Sequence, residues 1–302
     1  MWQVIRKWRE DGAFLLFISP WIIGFLAFFV GPAIASLVYS FADYNAITKP
    51  IWVGFDNYAK LWSDEVYLKS LRNTLYFVFI GVPVTVGFQI LLSLLLNIEV
   101  PGIRFFRTLY YLPYLVPPVA TVIIWLILFG SGDGVVNTIV LWFGGAQIDW
   151  MGSEGLIKPV IITIGMWMSG GSVLVFLAGL KGIPSSLYEA SRIDGAGRVR
   201  TFFSVTLPML TPSILFTVVM QIIYYFQMFT EAMLLSKGGP DYASQTYMMN
   251  TYQVAFRDLN FGYAMAQSWV LFVIILLITV ALMQSSRRWV YYEGDEKGGS
   301  NG

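Results

Sequence analysis

Polar positions along this chain are bunched, and the apolar ones run unbroken between them. A charge at the centre of a membrane helix costs roughly 2.5–3.5 kcal/mol on insertion scales, so membrane spans are expected as charge-free gaps. Six gaps of 22 residues or more occur, at 12–42, 73–98, 108–132, 159–180, 201–230 and 259–286, and no other exceeds 15 residues. About 20 residues rising 1.5 Å each cross a hydrocarbon core of about 30 Å. The pattern predicts an all-α membrane protein of six transmembrane helices, near 14–41, 73–97, 108–129, 159–180, 204–227 and 264–285. One transmembrane domain over 1–302 is expected, with a long loop at 181–203 and a tail at 286–302. The first gap is too long for a signal-peptide core and holds Pro20 and Pro32, which predict a kink.

Six spans put both termini on one side, and the Lys/Arg bias chooses that side. The N-terminus, the 98–107 and 181–203 loops and the C-terminus hold twelve Lys or Arg. The longer loops 42–72, 130–158 and 228–263 hold seven. Both termini and the 181–203 loop are therefore expected in the cytoplasm. Outside, Asp56 and Ser63 are each expected to cap a short amphipathic helix, with Tyr58, Leu61, Trp62, Tyr67 and Leu71 as apolar contacts on the membrane surface, either as a belt positioning the next span or as a dock for an external protein. Ser131-Gly132-Asp133-Gly134 and Gly238-Gly239-Pro240-Asp241 predict tight turns. Asp133, Asp149 and Glu154 lack the spacing of a calcium loop, so turn chemistry is their better reading.

Composition narrows the chemistry. Of 302 residues 57% are hydrophobic and only 12% charged, against about a quarter charged in soluble domains. A net charge of +1 without a basic run gives no footprint for nucleic acid. With no His and no Cys, the chain cannot build His-dependent or thiol catalysis, a His-ligated zinc site or an iron–sulfur cluster. It has no Gly-Lys dipeptide, hence no phosphate-binding loop of that type.

The 181–203 loop carries the most specific signal. Pro184, with Ser185 and Ser186, starts a helix of about three turns that Gly195 ends in a left-handed conformation, while Ala196 and Gly197 permit a sharp redirection. Leu187, Ala190 and Ile193 form an apolar stripe flanked by Glu189, Arg192 and Arg198. Standing outside the membrane, that stripe needs a cover, either lipid headgroups or a partner protein.

Glu189-Ala190-Ser191, Asp194-Gly195-Ala196 and Leu207-Pro208 resemble the EAA signature of binding-protein-dependent ABC importer permeases, departing from it at Ser191 and Val205. Phe106-Arg107-Thr108, Tyr111-Leu112-Pro113-Tyr114, Gly238-Gly239-Pro240 and Phe261-Gly262-Tyr263-Ala264 extend the likeness over nearly the whole chain. They are similar to the carbohydrate-uptake branch of that family, in its maltose-permease F or glycerol-phosphate-permease A type. The resemblance implies a type I importer permease fold in a bacterial cytoplasmic membrane. It implies a second permease subunit, two copies of an ABC ATPase and an extracytoplasmic solute-binding protein as partners. No cofactor is then bound by this chain, ATP and Mg belonging to the ATPase. Carried over by position, Glu189 bonds to the ATPase surface, Ala190 and Ser191 permit close approach, and Asp194, Gly195 and Ala196 turn the chain away.

Candidate cargo contacts lie inside the spans. Span four carries Trp167, Ser169, Gly170, Gly171 and Ser172. Span five carries Gln221, Tyr224, Tyr225, Gln227 and Met228, with Thr230 and Glu231 near its outer end. Aromatic faces stack on the C–H faces of sugar rings, and amides and hydroxyls bond their hydroxyl groups. The combination points to a neutral di- or oligosaccharide. A polyol phosphate or acidic saccharide is the alternative within the same architecture, and an ion-coupled carrier, for which the spans lack charges, is the remote one.

Overall fold

The computed structural model describes residue 14 and residues 16–291. Among these, three helices are long and apolar enough to cross a membrane: α1 (Leu16–Tyr39), α3 (Glu65–Leu96) and α14 (Phe261–Ser286). A short helix, α2 (Asp56–Leu61), lies between the first two. Three bent pairs supply the remaining candidate spans. They are α4 (Ile103–Leu115) with α5 (Pro118–Leu128), bent 103°; α7 (Ile157–Trp167) with α8 (Gly170–Gly182), bent 53°; and α10 (Arg198–Met209) with α11 (Thr211–Phe226), bent 66°. Six spans result if each pair counts as one. Shorter helices α6 (Val135–Trp142), α9 (Ser185–Ile193), α12 (Thr230–Leu235) and α13 (Tyr247–Tyr252) complete the set. The spans expected at 108–129, 159–180 and 204–227 are thus broken ones. The breaks fall at Val116-Pro117, at Met168-Ser169 and at Leu210 ahead of Pro212, where proline or paired glycines weaken the helical ladder.

Proline also explains a subtler feature. Five-residue π turns occupy Leu26–Val30, Phe77–Gly81, Phe202–Thr206 and Gln253–Arg257, and a proline, Pro32, Pro83 or Pro208, stands two residues beyond each of the first three. A proline inside a helix has no N–H to donate and crowds the carbonyl four residues back. The wide turn ahead of it takes up that strain, with Gly31, Val82 and Leu207 donating five residues back to Leu26, Phe77 and Phe202. The kink expected in the first span from Pro20 and Pro32 is therefore a π turn within a continuous helix.

Two compact units divide the chain. The first takes residues up to Asp64 together with Thr251–Val270. In it a two-stranded antiparallel ribbon, β1 (Ala42–Asp43) against β2 (Ile51–Trp52), follows α1, with Ala42 opposite Trp52. Buried Asn57 donates from Nδ2 to the carbonyls of Ser40 and Ala42, at 2.9 Å each, so α2 is pinned to the ribbon. Neither expected cap forms: α2 begins at Asp56 with no side-chain cap, and Ser63 Oγ donates back to Lys60 O. Gly262 is required here, because a Cβ would stand 2.0 Å from the Ala42 carbonyl oxygen.

The second unit holds Glu65–Asn250 and the chain from Leu271 onward. The N-terminal part of α3 anchors the segment leading to α13: Asn73 Nδ2 donates to the carbonyls of Tyr242 and Gln245, and Thr74 Oγ1 accepts from Tyr247 N–H. Lys69 and Asp241 pair at 2.5 Å. Asn137, fully buried, closes the 130–150 loop by donating to Gly130 O and Ile148 O and accepting from Ile148 N–H and Trp150 Nε1–H. Asp149 accepts from Gly152 N–H, and among the described residues no acidic group is gathered to hold a metal.

Candidate functional site

Helix α9 is short because its sequence stops it. Pro184 sits in extended conformation just before Ser185, and Gly195 takes φ +74° beyond Asp194. Gly195 N–H donates to Arg192 O and Ala196 N–H to Ser191 O, the pair of bonds that closes a Schellman motif. One face of α9 turns inward. Tyr188 packs against the cluster of Leu180, Ile183 and Leu210 and pairs with Thr206 Oγ1 at 3.2 Å. Ser191 is buried and pairs with Thr201 Oγ1 at 2.9 Å. The opposite face is bare: Leu187, Glu189, Ala190 and Ile193 are all exposed, Ile193 to 86%. Asp194 and Gly195 are exposed at its end, and Ala196 is half-buried. Beside the helix opens a cleft of about 880 Å³, bordered by Glu99, Arg104, Arg107, Lys181, Glu189 and Arg192. The loop therefore offers an apolar ridge flanked by charges, held on the bundle by two side chains. Ser191, grouped with Ala190 by sequence alone, belongs to the holding face.

A second site lies where helices break. A cavity of about 550 Å³ opens among the α4–α5 junction, the α7–α8 junction and α11, with Tyr114, Ser169, Ser172, Met220, Gln221 and Tyr224 in its wall. The breaks place these groups, since a straight helix would run its backbone past the same point. Gly170 and Gly171 let α8 start against α4: a Cβ on Gly170 would meet Tyr110 O at 3.1 Å, and one on Gly171 the Tyr114 ring at 2.8 Å. Ser169 Oγ donates to Met166 O at 2.6 Å, and Tyr224 OH donates to Glu231 Oε1 at 2.6 Å. Both hydroxyl protons are therefore spent inside the protein, while the Gln221 amide and the Ser172 hydroxyl in the wall can donate. No Lys or Arg is among the described lining residues.

Of the ten residues named in spans four and five, Ser169, Ser172, Gln221 and Tyr224 meet at this cavity, and Gly170 and Gly171 shape it. The other four face elsewhere. Trp167 borders a separate apolar hollow with Leu92, Leu96, Leu109 and Pro113, its ring edge-on to Trp125. Tyr225 is fully buried, parallel to the Phe77 ring and paired with Thr85 Oγ1 at 2.9 Å. Gln227 is exposed outside the lining, and Met228 is buried, its carbonyl accepting from Thr246. Sequence reading missed Tyr114 and Met220 as wall residues. The Tyr111-Leu112-Pro113-Tyr114 run beside Pro117-Pro118 was the available signal, because a broken helix turns a tyrosine inward.

Residues 89–291 match the family described as binding-protein-dependent transport system inner membrane component. The probable ABC transporter permease protein YesP of Bacillus subtilis is 44% identical over 298 residues, covering 97% of this chain and 96% of that protein. The sn-glycerol-3-phosphate transport system permease protein UgpA of Shigella flexneri is 32% identical, covering 92% and 95%. The diacetylchitobiose uptake system permease protein NgcF of Streptomyces coelicolor is 29% identical, covering 94% and 85%. A solved chain of a bacterial ABC transporter that imports the acidic polysaccharide alginate shares the fold, with a TM-score of 0.83 at 24% identity, covering 95% of this chain and 99% of that one. Family match and relatives agree that this chain belongs to the inner membrane components of binding-protein-dependent transport, as an ABC transporter permease.

Proposed function

We propose that this chain forms half of a membrane pathway for a neutral di- or oligosaccharide, which it passes by alternating access when a separate ATPase moves helix α9. The observation that carries the cargo reading is the wall of the 550 Å³ cavity, with one aromatic face at Tyr114, another at Tyr224, and hydroxyl and amide groups without a cation. A phosphate or carboxylate taken out of water needs a positive partner to offset its desolvation, and neutral sugar hydroxyls do not. The relative named for diacetylchitobiose uptake is consistent with this reading. The relatives named for sn-glycerol 3-phosphate and for alginate favour a second reading, an anionic cargo whose charge is met by the partner permease.

The bare ridge of Leu187, Ala190 and Ile193, flanked by Glu189 and Arg192, supports docking of α9 on a cytoplasmic ATPase, which would carry ATP and Mg. Breaks at three helix pairs allow rigid pieces to rock about a fixed midplane site. The full machine would join a second permease, two ATPase copies and an extracytoplasmic binding protein; the last is supported by the solved alginate transporter in complex with its periplasmic protein. Both termini and α9 would face the cytoplasm of a bacterial cell. Reconstituted with those partners, the complex is expected to hydrolyse ATP faster when the binding protein is loaded with neutral oligosaccharide. Transport of a uronate or sugar phosphate, with neutral oligosaccharides neither competing nor stimulating hydrolysis, would overturn the neutral-cargo reading and leave the importer reading standing.

A further inference from the structure

Behind the cavity wall lies a charged group that no step above uses. Glu231, in α12, is 4% exposed, and its side chain has one hydrogen-bond partner among the described residues, the Tyr224 hydroxyl at 2.6 Å. No Lys or Arg pairs with it among those residues, although a buried carboxylate is normally held by a cation or by several donors. Tyr224 itself lines the cavity. One side chain thus reaches from the interior carboxylate to the space that would hold cargo.

We propose that Glu231 is a positioning and specificity-determining residue of the cargo cavity, holding the Tyr224 ring in the wall and disfavouring anionic cargo. The donor direction carries the first part. A tyrosine hydroxyl has one proton, and a carboxylate only accepts, so the proton of Tyr224 is committed to Glu231. Ring placement follows from the same bond, since a short contact to a buried anchor removes the freedom of the tyrosine side chain. The charge carries the selective part. An anion beside Tyr224 would feel a like charge across poorly screened surroundings, and at an effective dielectric of about 20 a separation of about 8 Å changes binding by roughly thirtyfold. The proposal rests on the reading of this cavity as the cargo site.

The test uses the complete importer in proteoliposomes at saturating binding protein, with diacetylchitobiose and an alginate trisaccharide as labelled probes, and compares wild type with Glu231→Ala, Glu231→Gln, Tyr224→Phe and the double variant Glu231→Ala/Tyr224→Phe. Glu231→Ala is expected to lower the maximal uptake rate of the neutral probe about tenfold without moving the half-saturating concentration, which the external protein sets. Glu231→Gln keeps an accepting oxygen and should restore the neutral rate to within about threefold, while raising uptake of the acidic probe relative to the neutral one by about tenfold. In the Tyr224→Phe background, Glu231→Ala should add less than twofold, because the two act through one bond. Additive losses at Glu231 and Tyr224, or an unchanged probe ratio in Glu231→Gln, would overturn the proposal while the cavity remained the cargo site. Wild-type complex that carries neither probe would overturn the cavity reading and this proposal with it. Membrane levels of each variant separate loss of folding from loss of positioning.

Discussion

At the scale of single residues, glycine positions divide into two kinds with different consequences. Gly195 takes a left-handed φ but has open space around its absent side chain, so Gly195→Ala meets only backbone strain of about 1–2 kcal/mol and should leave uptake within a few-fold of wild type. Gly195→Pro cannot adopt φ +74° and should abolish coupling at normal membrane levels. Uptake and ATPase stimulation, measured together, check both variants, and a fully active Gly195→Pro importer would remove α9 from the transmission path. Gly171 is the opposite case: φ is ordinary, but a Cβ would stand 2.8 Å from the Tyr114 ring. Gly171→Ala should displace that ring from the cavity and lower uptake several-fold without weakening ATPase docking, as a pull-down of the complex would show. Tyr225, by contrast, should matter for folding. With its ring against Phe77 and its hydroxyl on Thr85, Tyr225→Ala should reduce the amount of folded protein, at a cost of about 3–5 kcal/mol.

Among elements, α9 shows how far a sequence speaks. Its start at Pro184, its end at Gly195 and its bare stripe were all legible, because caps and left-handed glycines are local signals. The inward face was not legible, since Ser191 and Thr201 are ten residues apart and their pairing depends on how α10 returns beneath α9. Ser191→Ala and Thr201→Ala should each loosen α9 by about 1 kcal/mol, with a double variant no worse than either. Hydrogen exchange over residues 185–195 reads this directly, and full additivity would mean that the two hydroxyls do not act as a pair. Charge-free gaps located the helices but hid their breaks. Hydropathy averages across Val116-Pro117 and Met168-Ser169 without a change of sign, and in uniformly apolar spans it gives no face. That is why Trp167 and Tyr225, which lie outside the cavity wall, were legible as candidates while Tyr114, which lies in it, was not. Of the surface helices expected after Asp56 and Ser63, the second forms the first turns of α3, where Tyr67, Ser70 and Asn73 are buried against neighbours rather than lying on lipid.

For the whole molecule, orientation is the property most open to measurement. The chain has no cysteine, so single Cys replacements at exposed positions report sidedness without background. Ile193→Cys is expected to react with a membrane-impermeant maleimide only after cells are opened, and Asp241→Cys in intact cells once the outer barrier is permeable. The reverse pattern would invert the topology and put α9 out of reach of any cytoplasmic ATPase.

The π turns carry a consequence for how this chain tolerates change in length. Each one holds a residue more than an α-helical turn, so the helix beyond it is rotated by about 100° relative to an uninterrupted helix. In α3 this phase sets the direction of Thr85 toward Tyr225, and Gly81, in the π turn itself, leaves room for the tyrosine ring. Deleting one residue from Phe77–Gly81 would keep every apolar position apolar and leave hydropathy unchanged. It would nevertheless swing Thr85 and Gln89 about a quarter turn toward lipid. The bulge is therefore a phase adjuster, and single-residue gaps at such places mark a rotated face rather than a shortened span.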